Sequence, residues 1–513
     1  MAHLQTLPFD LLFKITSSAQ SLADLHSLIL ASRPCYNAFS IYRNSIIRSV
    51  LMTEMGPANY RELLAIVHIP PGVSTMGLYR EVRRASSGNP KTDTNDETEE
   101  VYLITVLQPY LKHYFSTRPF EDPCDAGSTS QILWVYKIMR RLIDRYFVYT
   151  CKLLLGLWSS SSGNMLDYAT GAALVAPLSR AERARLQRAF LRYELYSRLF
   201  PYEDGKRSSV RSSISGKSQF DLFIRHLEPW EVEELCSIHR FLFNLAADYM
   251  GDLEDQFVES YLSCPGAVSV VPTGIPGQIE MKQGEKMVPF HEPELVGLDV
   301  FEKWWQSNGM ADFTNQLASL GLEFFSTLID ASTIGERRDR IRSLGLRQLG
   351  FGERHFLPEA LTHSPDVSES SSEEEWEENI CCDNEEEDAT RPNTGYRDFV
   401  RSIRQFRWMR QSLVKPCYRE IFEPTVVDFT HNLPDDPFWE QGCVFWNRAR
   451  LVKFRRDLEL NPEHFVGHKK IGRYAGRGIN RWMDRMSVKN RLKGIMIPES
   501  QWRKLLDDFA WHQ

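Results

Sequence analysis

Between Asp366 and Asp388 stand twelve acidic residues and not one Lys, Arg or His. Nothing else in the chain restricts folding as sharply. Like charges at that density repel on compaction, and only Val367, Trp376, Ile380, Cys381 and Cys382 offer apolar surface in return. The stretch 364–395 is therefore read as a disordered acidic insertion, and any core must be built from 1–363 and 396–513. Those parts have the means: 513 residues support about three structural units at roughly 150 residues each. With 29 Phe, 19 Tyr and 12 Trp, most of the chain has apolar mass to bury. The net charge is −7, so the remainder without those twelve acids carries +5. Neither value creates a global field that would predict nucleic acid or an anionic membrane as partner.

The nine cysteines are an odd number and none lies in a C-x-x-C pair, which argues against a disulfide framework or a zinc site. Reduced thiols and residence in the cytoplasm and/or nucleus are expected. The N-terminus lacks the basic region of a secretory signal, and the longest apolar stretch, 147–158, is only twelve residues and contains Lys152, so no membrane association is expected. Enzyme signatures fail in turn. Ser215-Gly216-Lys217-Ser218 ends like a phosphate-binding loop, but Arg211 stands where its first glycine must be. His291-Glu292 begins a zinc-protease pattern, yet Leu295 replaces the second histidine and Pro293 would break the presenting helix. His464 and His468 lack a third ligand nearby, and no G-x-S-x-G elbow occurs. No catalytic residue, cofactor or metal is expected, and the chain reads as a non-enzyme.

Periodicity predicts a mainly α-helical fold. In 1–55, Pro8 opens a helix carrying Leu11, Leu12 and Ile15; Ser21 and Asp24 cap a second with Leu25, Leu28 and Ile29; Pro34 opens a third, carrying Phe39, Tyr42, Ile46, Ile47 and Val50, that Gly56 and Pro57 stop. The segment 56–130 reads as a connection with polar loops. A helical domain follows over 131–363. Its first helix, 131–158, is apolar nearly all round and so is expected deep in a bundle. Ser179 and Glu182 form a capping box before an amphipathic helix at 178–200 with Leu186, Phe190 and Tyr193. Pro229 opens a helix running to Gly251, and further helical patterns cover 300–305, 312–329 and 334–349. One strand is expected, at 267–271. After the acidic insertion, 396–513 holds six of the twelve tryptophans and, from Gly442 on, 16 basic against 7 acidic residues, so it reads as a packed, basic C-terminal unit.

The order and spacing of Leu7-Pro8, Leu11-Leu12, Ile15, Leu22, Asp24-Leu25, Leu28 and the apolar third helix resemble an F-box over roughly residues 5–51. The segment 178–200 looks like one found in large fungal proteins that begin with an F-box-like region and continue into a helical domain. The resemblance implies that Leu7, Pro8, Leu11, Leu12, Ile15, Leu22, Leu25 and Leu28 serve partner binding. The implied partners are a Skp-type adaptor and the cullin of an SCF-type ubiquitin ligase, with an unidentified protein substrate. The implied function is substrate recognition, in which tethering raises the target's effective concentration beside the ligase. The alternative is a non-catalytic interaction protein with a degenerate F-box-like module, binding nucleic acid through the basic C-terminal surface. Ser370, Ser371 and Ser372, each with a glutamate three residues on, and the basic serine-rich loop 206–218 are candidate phosphorylation switches.

Overall fold

The computed structural model describes residues 7–70, 106–121 except 117 and 119, 126–162, 176–200, 214–269, 286–289, 314–343 except 315, 356–357, 360, 445–446 and 495–509. These residues are mainly α-helical. Helix α1 (Phe9–Ser17) starts directly after Pro8. Helix α2 (Leu22–Ala31) is capped by the Ser21 hydroxyl, which accepts from the Asp24 amide at 3.1 Å. Helix α3 (Arg33–Met55) is capped by Ser32, with a proline in its first turn. Leu12 packs with Cys35 and Ala38, and Leu25 with Ile46 and Val50. Helix α1 runs alongside α3 in the same direction: the Phe9 and Phe13 rings lie 5.7 and 5.1 Å from Tyr42, and Ser49 Oγ donates to the Ser17 carbonyl at 3.1 Å.

Helix α3 kinks at Tyr42 (φ −108°, ψ 28°), and beyond the kink Ile47, Leu51 and Met55 join the central core. Glu54 ties the two parts: its Oε2 accepts from the Leu22 amide at 3.0 Å and its Oε1 from the Tyr136 hydroxyl at 2.5 Å. The first 55 residues are therefore not a separate unit, because one helix belongs both to the N-terminal module and to the body. Gly56, at φ 80°, ends α3 in a conformation that costs other residues more, and α4 (Pro57–Val67) follows at once. Sequence reading assigned α4 and α5 (Gln108–Tyr114) to a connecting segment, yet they bury Tyr60, Leu63, Ile66, Tyr110 and Leu111 in the central core. They are short helices, and the polar stretch 86–100 between them dominates the composition of that region.

Helix α6 (Ala126–Ser162) differs from its expected deep burial: Trp134, Lys137, Arg141, Asp144, Arg145 and Val148 form an exposed stripe along one side, while Ile132, Val135, Met139, Leu142 and Tyr146 face the core. Helix α7 (Arg180–Leu199) carries the expected capping box, with Ser179 and Glu182 bonded reciprocally. It is a core helix, and the burial extends beyond its apolar stripe, since Glu182, Arg185, Gln187, Arg188 and Glu194 are buried together with Leu186, Phe190 and Tyr193. Helix α8 (Gly216–Leu222) leads through a 3₁₀ turn to α9 (Pro229–Leu262), which runs past the expected stop at Gly251. The pattern at 312–329 is interrupted: Gly321 takes φ 76° and α10 (Gly321–Asp330) begins there, followed by α11 (Ile334–Ser343).

Strand β1 (Val268–Ser269) lies within the expected strand, but two more were missed, β2 (Met287–Pro289) and β3 (Ile495–Pro498). β3 is the middle strand, antiparallel to both neighbours, with Val268 opposite Met496 and Val288 opposite Ile497. Such short strands carry too few residues for alternation to register. Helix α12 (Glu499–Phe509) follows and sets Trp502 edge-on to Tyr261, 6.0 Å between ring centroids. Phe445 and Trp446 lie in the central core beside Tyr146. Parts of the C-terminal unit are thus built into the helical body. The pattern at 300–305, the acidic insertion, His291, His464, His468 and most of the basic C-terminal surface lie outside the described residues.

Candidate functional site

Burial sorts the eight leucine, isoleucine and proline positions expected at a partner face. Leu12 (5% exposed) and Leu25 (3%) are core residues of the three-helix module, filling the clusters that hold α1 and α2 to α3. This corrects the expectation that they face a partner, and the reason is geometric: the module needs them to pin its own helices. Leu7, Ile15, Leu22 and Leu28 are half-buried. Pro8 is exposed, and Leu11, one residue before Leu12 and so about 100° around the helix, is 44% exposed.

The module carries further exposed apolar side chains. Leu30, Tyr36, Ile41 and Tyr42 are exposed, with Leu30 at 72% and Ile41 at 67%. Of the eight large apolar residues exposed among the described residues, five fall within the first 42. Scattered single residues of this kind are ordinary on a protein surface; a concentration on one small module is not. The helical periodicity marks Tyr42 as one of the apolar positions of the third helix and gives no sign that it, Leu30, Tyr36 or Ile41 stays exposed. All lie on the module carried by the first half of α3, away from the half that enters the body.

The interior offers a second place to look for chemistry. A cavity of about 170 Å³ is lined by Arg61, Glu62, Tyr114, Phe115, Arg192, His226, Leu227 and Glu231. Glu62, Arg192 and Glu231 are engaged with one another, and Arg61 donates to the Tyr114 and Ser116 carbonyls. Glu62 accepts from Arg192 Nε at 2.9 Å and from the Tyr114 hydroxyl at 2.6 Å. Arg192 Nη1 lies 2.5 Å from Glu231, whose other oxygen accepts from the Glu228 amide at 3.0 Å. Burial, with Glu62 beside it, pushes the Tyr114 phenol well above its ordinary range, and the surrounding acids hold Arg192 firmly charged despite burial. Next to this cluster, Arg188 donates twice to Glu234, at 3.0 and 2.7 Å, and lies 4.6 Å from the Trp230 ring centroid. The arrangement clamps α4, α5, α7 and α9 together, and the three carboxylates, Glu62, Glu231 and Glu234, are spent on ion pairs. Ser215, the candidate phosphate-loop residue, caps a seven-residue helix by accepting from the Ser218 amide. Among the described residues no group of three or more His, Cys, Asp or Glu side chains is placed to hold a metal ion. Nor is any described helix long and apolar enough to cross a membrane. Comparison with models of known protein families, with curated proteins and with solved structures finds no match.

Proposed function

We propose that the N-terminal three-helix module docks the Skp-type adaptor of a cullin-RING ubiquitin ligase, and that the helical body presents a protein target to it. The observation that carries this reading is the concentration of uncovered apolar side chains, Leu11, Leu30, Tyr36, Ile41 and Tyr42, on a module already stitched together by Leu12 and Leu25. A helical partner gains affinity by covering such a surface. The ubiquitin transfer belongs to the ligase; this chain contributes proximity. The shared helix α3 suits that task, since a target held on the body would keep a fixed orientation to the adaptor.

The test is recovery of purified adaptor by the full chain and by a Leu11→Glu/Ile41→Glu variant whose folding is checked by circular dichroism. Loss of binding by tenfold or more, about 1.4 kcal/mol, is expected. Equal recovery by both proteins, or recovery by neither, overturns the reading. Nuclease-sensitive association with chromatin would instead favour a non-catalytic interaction protein that binds nucleic acid.

A further inference from the structure

We propose that the exposed stripe of α6 is the docking surface for the chain's own acidic run, 366–388. The stripe holds Lys137, Arg141 and Arg145, with Trp134 (38% exposed) and Val148 (49%) at its two ends and Arg140 half-buried at its edge. One acid, Asp144, shares the face; Arg141 also pairs with Asp330 from α10, and Asp248 and Asp252 of α9 lie with Arg145 around Tyr249. On α6 itself three exposed cations face one acid, and among the described residues Lys137 has no ion-pair partner. The run supplies what this face needs. It has twelve acids and no base, and Trp376 and Ile380 interrupt the acids as Trp134 and Val148 bracket the cations.

Tethering favours the pairing. Upstream, Phe356 lies 5.2 Å from Tyr196 and 6.3 Å from Tyr193, and Leu357 and Ala360 are buried, so the chain leaves from the core beside α7. Downstream it is anchored on α6 itself, where Trp446 lies 6.2 Å from Phe147, the neighbour of Val148. From Ala360 to Trp376 an extended chain reaches roughly 53 Å, about the full length of α6. The acids 373–378 span roughly 17 Å when extended, enough to cover the rise of about 12 Å from Lys137 to Arg145. A segment held at both ends on the same core meets this face at an effective concentration set by its tethers, which a separate acidic partner must supply from solution. Phosphate added at Ser370–Ser372 would increase the complementarity.

Zero-length carbodiimide cross-linking of the full chain tests the pairing. The reagent activates a carboxylate, the Lys137 amine displaces the activating group to form an amide, and the reagent leaves as its urea. Lys286 and Glu499, 4.0 Å apart, provide an internal reference. The expected result is a peptide joining Lys137 to 366–388 in the monomer. It should be lost by about tenfold in Arg141→Glu/Arg145→Glu, where the tether no longer meets a complementary face, while the reference link is unchanged. It should also be lost in about 1 M salt, where the screening length is about 3 Å. A normal reference link without the Lys137 link overturns the proposal. So do links from the run to Lys469 or Lys470 alone, which would place it on the basic C-terminal unit, and links found only in cross-linked dimers, which would assign the face to a second copy.

Discussion

Leu11 and Leu12 are neighbours in sequence and opposites in the fold. Leu12 fills a cluster with Cys35 and Ala38, so Leu12→Ala should cost about 2–5 kcal/mol of stability in a denaturant titration. Leu11→Ala should stay within about 0.5 kcal/mol of the parent and reduce adaptor recovery only. If both variants unfold alike, the separation of core from contact surface is wrong. The same logic of commitment applies to Glu234, fully enclosed with Arg188. Burial pulls its carboxyl above the usual range while Arg188 pulls it back. Glu234→Gln leaves a guanidinium buried without its counter-charge and should cost about 3–5 kcal/mol, measured by the same titration. Gly321 is irreplaceable for a different reason: it takes φ 76°, and a Cβ there would lie 2.7 Å from Glu194 Oε2, the oxygen that accepts from the Leu322 amide.

Among the elements, α3 is both the spine of the N-terminal module and a core helix of the body. Glu54→Leu would remove the acceptor shared by the Leu22 amide and the Tyr136 hydroxyl; the hydroxyl keeps Arg140, and the amide left without its partner costs about 1–3 kcal/mol. Hydrogen exchange should then accelerate in α2 while α7 stays protected; uniform acceleration would show that Glu54 supports the whole fold rather than the junction. Capping signals made several elements legible in sequence. Ser21-Asp24, Pro34, Ser179-Glu182 and Pro229 act within one helical turn, so the residues that decide the structure sit side by side in the chain. Helix α7 is the core helix its apolar positions suggest, but which of its charges are enclosed depends on distant signals. Its arginines are buried against Glu62, Glu231 and Glu234, from α4 and α9, and no local pattern reveals that such charges are paired. At the N-terminal module, proline and leucine spacing pointed to the correct helices, but which leucine faces outward depends on how α1 lies against α3, and that is a tertiary fact.

Across the whole molecule, tyrosines connect the helices and set its response to alkali. Burial raises the phenols of Tyr60, Tyr110, Tyr114, Tyr136, Tyr193, Tyr249 and Tyr261 above their ordinary value. In the unfolded chain they ionise near pH 10, whereas the folded protein holds their protons. Their contribution is therefore complete below about pH 10 and lost above it, by up to about 1.4 kcal/mol per pH unit for each. Unfolding should turn steep in that range, with tyrosinate absorbance rising together with the loss of helix; absorbance that rises well before unfolding would contradict the burial. The small sheet imposes another condition, one of timing. Its middle strand is made some 230 residues after β1, and at about 5–20 residues per second a ribosome needs roughly 10–45 s to deliver it. For that interval the edges of β1 and β2 wait without a mate, and Tyr261 lacks the Ile495 carbonyl to which its hydroxyl donates. Translation that stalls before Ile495 leaves a nascent chain with those edges open, the kind of surface that chaperones hold and quality-control proteases recognise.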